Sequence, residues 1–141
     1  MKSFLTISAV VILVLAVLTP QASACKYGCT PGYWKNHIEA WPSAITTTET
    51  LGENFNVGFF GNVTFSDALA FHGGSDIDGA KQILLRAGAA ALLNSYKFGS
   101  NFISPSTVIN LVNTALASGN RQTILNAASY LDGLNNTGCP L

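Results

Sequence analysis

The chain has 141 residues, of which 48% are hydrophobic and only 10% charged, with seven basic residues set against seven acidic ones. An ordinary soluble domain is about a quarter charged, so much of this surface must consist of Asn, Ser, Thr, Gly and Ala. Such a composition offers no basic patch to neutralise a run of phosphates, which excludes the electrostatic footprint of nucleic-acid binding, and its weak self-repulsion favours association between copies of the chain.

The first elements in chain order are those of a leader. Met1-Lys2-Ser3 is a short basic start, Phe4 to Leu18 is an apolar run, and Ala22-Ser23-Ala24 supplies the small residues of a cleavage site, which together predict a secretory signal peptide over 1–24. The apolar run falls short of the roughly 20 residues a membrane-spanning helix needs, and no second such run follows, so no membrane span is expected. A single extracellular helical domain is expected over 25–141, long enough to bury its own core. Cleavage after Ala24 would leave Cys25 at the new N-terminus, as a free thiol, a lipid anchor point or half of an intersubunit disulfide.

Next comes the densest stretch of the chain, Cys29-Thr-Pro-Gly-Tyr-Trp-Lys-Asn-His-Ile-Glu-Ala-Trp-Pro42. Thr30 before Pro31 is a helix start, the threonine capping orphan amides and the proline pre-setting its own φ at the first helical position. Pro42 disfavours helix at Trp41, so a helix of about two turns is predicted, stable only if packed. Trp34, Ile38 and Trp41 would share its core-directed face. Tyr33, Trp41 and His37 are candidate ligand-binding residues, and Lys35, His37 and Glu39 a candidate acid–base group. Of the three pairings open to Cys25, Cys29 and Cys139, the pair Cys29 and Cys139 ties the opening helix to the tail and encloses nearly the whole domain; Cys25 with Cys29 would close only a tiny loop. The long loop is worth about 4 to 5 kcal/mol by the chain-entropy model.

From Pro42 to Glu53 neither a helical nor a strand period is present, and an extended crossing segment is expected. Phe55, Val57 and Phe59 then alternate with polar residues or glycine, which predicts one short β-hairpin arm with Gly61-Asn62 as its turn. Asn62 and Asn135 each open a glycosylation sequon. Thr64 and Asp67 predict a capped short helix running through Phe71. Asp78 is expected to cap the following helix, from about Gly79 to Lys97, whose alanines and Gly88 would let neighbours approach closely. Ser104-Pro105 starts another helix with Val108, Leu111, Val112, Ala115 and Leu116 inward, and Asn120 caps a last one ending before Gly133. The fold class is therefore mostly α: a compact helical bundle, disulfide-closed, carrying an irregular aromatic segment.

The run CTPGYWKNH, the middle stretch from Gly79 to Asn94 and the ending Asn136-Thr-Gly-Cys-Pro-Leu141 resemble those of a family of secreted bacterial and archaeal extracellular modules. The resemblance covers essentially all of the chain after the leader. It implies an extracellular location and a fold, and it transfers no catalytic residue.

For chemistry, Asp76-Ile-Asp78-Gly79 places alternating carboxylates on a glycine-rich loop and is a candidate calcium site, although the full calcium-loop pattern is absent. His37 and His72 lack zinc-site spacing, and no nucleophile elbow occurs. The leading expectation is a secreted structural protein, a homo-oligomer or homopolymer building a fibre, tube or coat, with Ca2+ and glycans as accessories and no enzymatic activity. A monomeric surface module binding carbohydrate or peptide is the second reading, and a secreted hydrolase using His37 or His72 the third.

Overall fold

The computed structural model describes residues 25–141, and the signal peptide expected over 1–24 lies outside them. Its frame is set by one long helix. Among the described residues five α-helices follow one another as α1 (Pro31–Asn36), α2 (Phe65–Ala68), α3 (Ile77–Phe98), α4 (Pro105–Ala117) and α5 (Arg121–Asn135), with three 3-10 turns between α1 and α2, one between α3 and α4, and no extended strand. The architecture is mostly α, as expected. Helix α3 is the centre: α5 and α4 pack along it, α1 and α2 sit against its remaining sides, and from Ala87 to Ser95 every residue is buried. A helix buried all round can carry no wide polar face. Here the buried run is built largely of Ala, Gly and Leu, and the expected close approach is realised at Gly88, where an added Cβ would stand 2.9 Å from Cγ2 of Val112 on α4.

The caps follow the expected chemistry at four helices. Thr30, Thr64, Ser104 and Asn120 each accept the backbone N–H three residues on, and Pro31 and Pro105 occupy first-turn positions. At α3 the capping assignment is corrected. Asp76, not Asp78, caps the helix, its Oδ1 accepting the Gly79 N–H at 2.7 Å, so the helix begins at Ile77.

Several other elements differ from expectation for identifiable reasons. Helix α1 stops at Asn36 because His37 leaves the helical region (φ −132°, ψ 62°), and a 3-10 turn at Ile38–Ala40 replaces its second turn. The break swings Ile38 outward to 52% exposure, while Trp34 stays fully buried and Trp41 half-buried. The predicted hairpin arm is absent. Gly58 adopts a left-handed φ of 52° and begins a 3-10 turn at Gly58–Phe60, so the alternation fails at its third member: Phe55 and Val57 are buried, and Phe59 is 92% exposed. An isolated bridge between Thr50 and Thr64 and a hydrogen bond from the Gly52 N–H to the Gly61 carbonyl at 3.0 Å join the arms of this loop. The segment read as an extended crossing contains a capped turn, Leu51–Glu53, in which the Thr50 and Glu53 side chains satisfy each other's backbone amides. Helix α2 ends at Ala68 rather than Phe71. Helix α5 continues past Gly133 to Asn135, because Gly133 does not take the positive φ that would end it.

The ends of the domain meet as the cysteine positions imply. Cys29 and Cys139 form a disulfide across 110 residues, beside a backbone bridge in which the Gly28 N–H donates to the Gly138 carbonyl at 2.9 Å. Gly28 is required there, since a Cβ would collide with the Leu134 carbonyl oxygen. Cys25 is not disulfide-bonded.

The ends are also fixed from inside, by Asn94 of α3. Its Oδ1 accepts the Cys29 N–H at 2.8 Å and the Trp34 indole N–H at 3.0 Å, while its Nδ2 donates to the Cys29 carbonyl at 2.9 Å and to Asn135 Oδ1 at 2.8 Å. Asn135 in turn donates to the Ala87 carbonyl at 3.0 Å. All four hydrogen-bonding positions of the Asn94 amide are therefore used, in the one orientation that matches two donors and two acceptors. Asn94→Ala would leave those partners unpaired in the interior, at about 1 to 3 kcal/mol for each group that water cannot reach. Because neighbouring losses are not additive, the expected destabilisation is about 3 to 5 kcal/mol in reversible denaturant unfolding of the oxidised protein. Ile38→Ser, at an exposed position, should stay within about 0.5 kcal/mol of wild type.

Candidate functional site

Of the residues singled out along the first helix, the structure joins some and separates others. His37 Nδ1 lies 3.0 Å from Glu39 Oε1, and the ring stacks on Tyr33 with centroids 4.3 Å apart and planes 22° off parallel. The carboxyl of Glu39 is held below its ordinary range first by its own backbone N–H and then by the His37 ring. This is an exposed imidazole–carboxylate pair, and Lys35 points elsewhere, into a cleft described below. Trp41 is not an open binding platform. Its indole N–H donates to the Trp34 carbonyl at 2.9 Å, across the break that ends α1.

The two acids of the Asp76-Ile-Asp78 loop have separate partners. Asp76 is the α3 cap, and Asp78 pairs with Lys81 at 3.1 Å on the first turn. Arg121 reaches the same loop from the start of α5, donating to the Asp76 carbonyl at 3.3 Å. Among the described residues no group of three or more His, Cys, Asp or Glu side chains converges. Of the two sequons, Asn62 is exposed. The other requires a correction: Asn135 is fully buried and its amide is committed to Ala87, so an N-glycan there is incompatible with the packed domain.

Two surface features emerge that the sequence did not single out. The first flanks α4: a groove of about 430 Å³ between α4 and α5, lined by Thr107, Asn110, Leu111, Thr114, Thr123 and Ala127 among others, none of them charged. On a different flank of α4, beside Asn113, Leu116 and Ala117, stands Phe59.

The second is a cleft of about 420 Å³ where α1, the segment after α2, α3 and α5 meet. Lys35, His72, Arg86 and Asp132 face it over an apolar wall that includes Leu69 and Phe71. Arg86 is anchored by donating from Nη1 to the Phe71 carbonyl at 2.9 Å. Asp132 is half-buried and is not within ion-pair distance of Arg86, since the ion pairs of the described residues are His37–Glu39 and Lys81–Asp78. Burial pushes the Asp132 carboxyl up from its ordinary value, and the more distant Arg86 charge pulls it only partly back. A sequence signal for this pair exists: Arg86 and Asp132 are isolated charges inside the apolar runs LLRAG and YLDGL of a charge-poor chain, and such placements cluster at functional sites.

No protein-family model, no curated protein and no solved structure matches the chain.

The raised proton affinity of Asp132 has a thermodynamic consequence. Between the ordinary aspartate value of 3.8 and the higher folded value, the native state binds more protons than the unfolded chain, so stability from this group is present at low pH and is lost as pH rises through that window. Asp132→Asn should consequently melt at or above the wild-type temperature at pH 7, and that advantage should disappear at pH 3. Thermal unfolding of both proteins at the two pH values checks it; a variant less stable than wild type at pH 7 would mean that the carboxylate is stabilised in the native state after all.

Proposed function

We propose that the chain is an extracellular structural module that associates with copies of itself through α4. The observation that carries this reading is Phe59, 92% exposed at the tip of its turn, together with the uncharged groove on the other flank of the same helix. A projecting aromatic on one flank and an apolar hollow roughly 130° round the helix from it are complementary between copies, not within one. Contacts of that kind are head-to-tail, and they propagate into rings or filaments instead of closing at a dimer. The scarcity of charge leaves little repulsion to oppose them, and the disulfide suits an oxidising compartment.

Burying a phenylalanine side chain is worth about 1.5 to 3 kcal/mol, so Phe59→Ser should weaken association between about ten- and hundredfold. Its folding stability should change by less than about 0.5 kcal/mol, because the ring is 92% exposed and meets the isolated domain mainly through an edge contact with Phe60. Sedimentation velocity over a range of concentrations, with electron microscopy of the most concentrated samples, is the measurement. A wild type that remains monomeric throughout, or a Phe59→Ser protein that associates equally well, would defeat the reading.

A further inference from the structure

We propose that the cleft between α1, α3 and α5 binds small hydroxylated carboxylates, of the uronic-acid class of sugars. The first ground is where the charge lies. The described residues hold six lysines and arginines in all, and two of them, Lys35 and Arg86, face this one cleft with Asp132 as its acid. That balance favours a ligand of net negative charge over a zwitterion.

The second ground is the pattern of uncommitted donors and acceptors. Arg86 uses Nη1 on the Phe71 carbonyl, which fixes the guanidinium and leaves its other N–H groups free for a carboxylate, the geometry to which that fork is suited. The Asp132 carboxylate accepts no hydrogen bond from the described residues, and hydroxyl groups of a ligand are what it can receive. Around it, Thr30 Oγ1 accepts the Tyr33 N–H at 3.1 Å and keeps its own proton to donate, while Asn136 spends its amide N–H on the Asp132 carbonyl at 2.7 Å and keeps Oδ1 to accept. The third ground is the apolar wall of Leu69 and Phe71, which suits the C–H face of a sugar ring. A hollow in this size range that sets convergent polar groups against an apolar wall can both orient a small ligand and cover its C–H face.

The test is an NMR titration of the protein produced from the full-length chain, following the Arg86 side-chain Nε–H and the Asn136 side-chain amide, with four probes: D-galacturonate, a trigalacturonate, D-galactose and inorganic phosphate. Saturable shifts at both groups are expected with the two uronates, tighter for the trimer if polymeric chains are the source, and none with galactose. Asp132→Asn and the exposed Lys35→Gln should each weaken uronate binding about three- to tenfold without lowering the melting temperature at pH 7; Arg86→Gln should weaken it at least tenfold, read only after its fold is verified by the same spectra. The proposal is overturned by an absence of uronate shifts, by equal shifts with galactose or phosphate, or by Asp132→Asn and Lys35→Gln proteins that bind as well as wild type.

Discussion

The rest of the structure depends on one buried amide. Asn94 lies near the C-terminal end of α3, after a buried run of Ala, Gly and Leu, and its four hydrogen bonds hold the backbone of Cys29, the indole of Trp34 and the side chain of Asn135 at once. An apolar residue of similar size would pack as well, but it would strand the polar groups around it. The amide fixes position in a way that apolar contact cannot. Hydrophobic burial would tolerate a slip of the N-terminal segment along α3, whereas the paired donor and acceptor of Cys29 meet Asn94 in one register only. The disulfide from that same Cys29 then limits the unfolded chain, while Asn94 selects the native arrangement, so the two devices act on opposite sides of the folding equilibrium.

The thinness of α3 follows from the same demand. A helix with neighbours on every side must let them come close, and Gly88 against Val112 shows how little room remains. Arg86 is the exception within the run from Leu84 to Ser95, the one residue of that stretch not fully buried. It escapes the interior because its guanidinium reaches the Phe71 carbonyl and the cleft beyond. Across the cleft, Asp132 occupies α5 at a cost in desolvation that an uncharged residue would not bear. A site kept at the expense of stability is the pattern expected where a surface is used.

What could be read from the sequence was what is local. The Thr-Pro and Ser-Pro starts of α1 and α4, the asparagine cap of α5 and the apolar stripe of α4 all depend on residues within two turns of one another, and each is realised. The cysteine pairing was legible because so few alternatives existed. Two kinds of feature were not. Where glycine can take either hand, as at Gly58, alternation of aromatics is not evidence of a strand, and Phe59 went to solvent. And a sequon cannot report burial: Asn135 reads as a surface acceptor, yet it is buried because α5 runs two residues beyond Gly133 and delivers it to a partner 41 positions away. The His37–Glu39 pair was legible from proximity in sequence, whereas the Arg86 and Asp132 cleft is assembled by four separate segments.

The placement of the two surface features on α5 connects the readings made of them. Thr123 and Ala127 line the groove beside α4, and Asp132 and Asn136 line the charged cleft. Each of the latter lies nine residues beyond one of the former, about two and a half helical turns, which puts the two sets on opposite sides of the helix. No residue of α4 contributes to the cleft. Association through α4 would therefore leave every cleft open, and an assembly would present the same weak site at each repeat along its length. Ligands that are themselves repetitive, such as acidic polysaccharide chains, would then engage several sites together, and effective concentration would turn modest single-site binding into firm attachment.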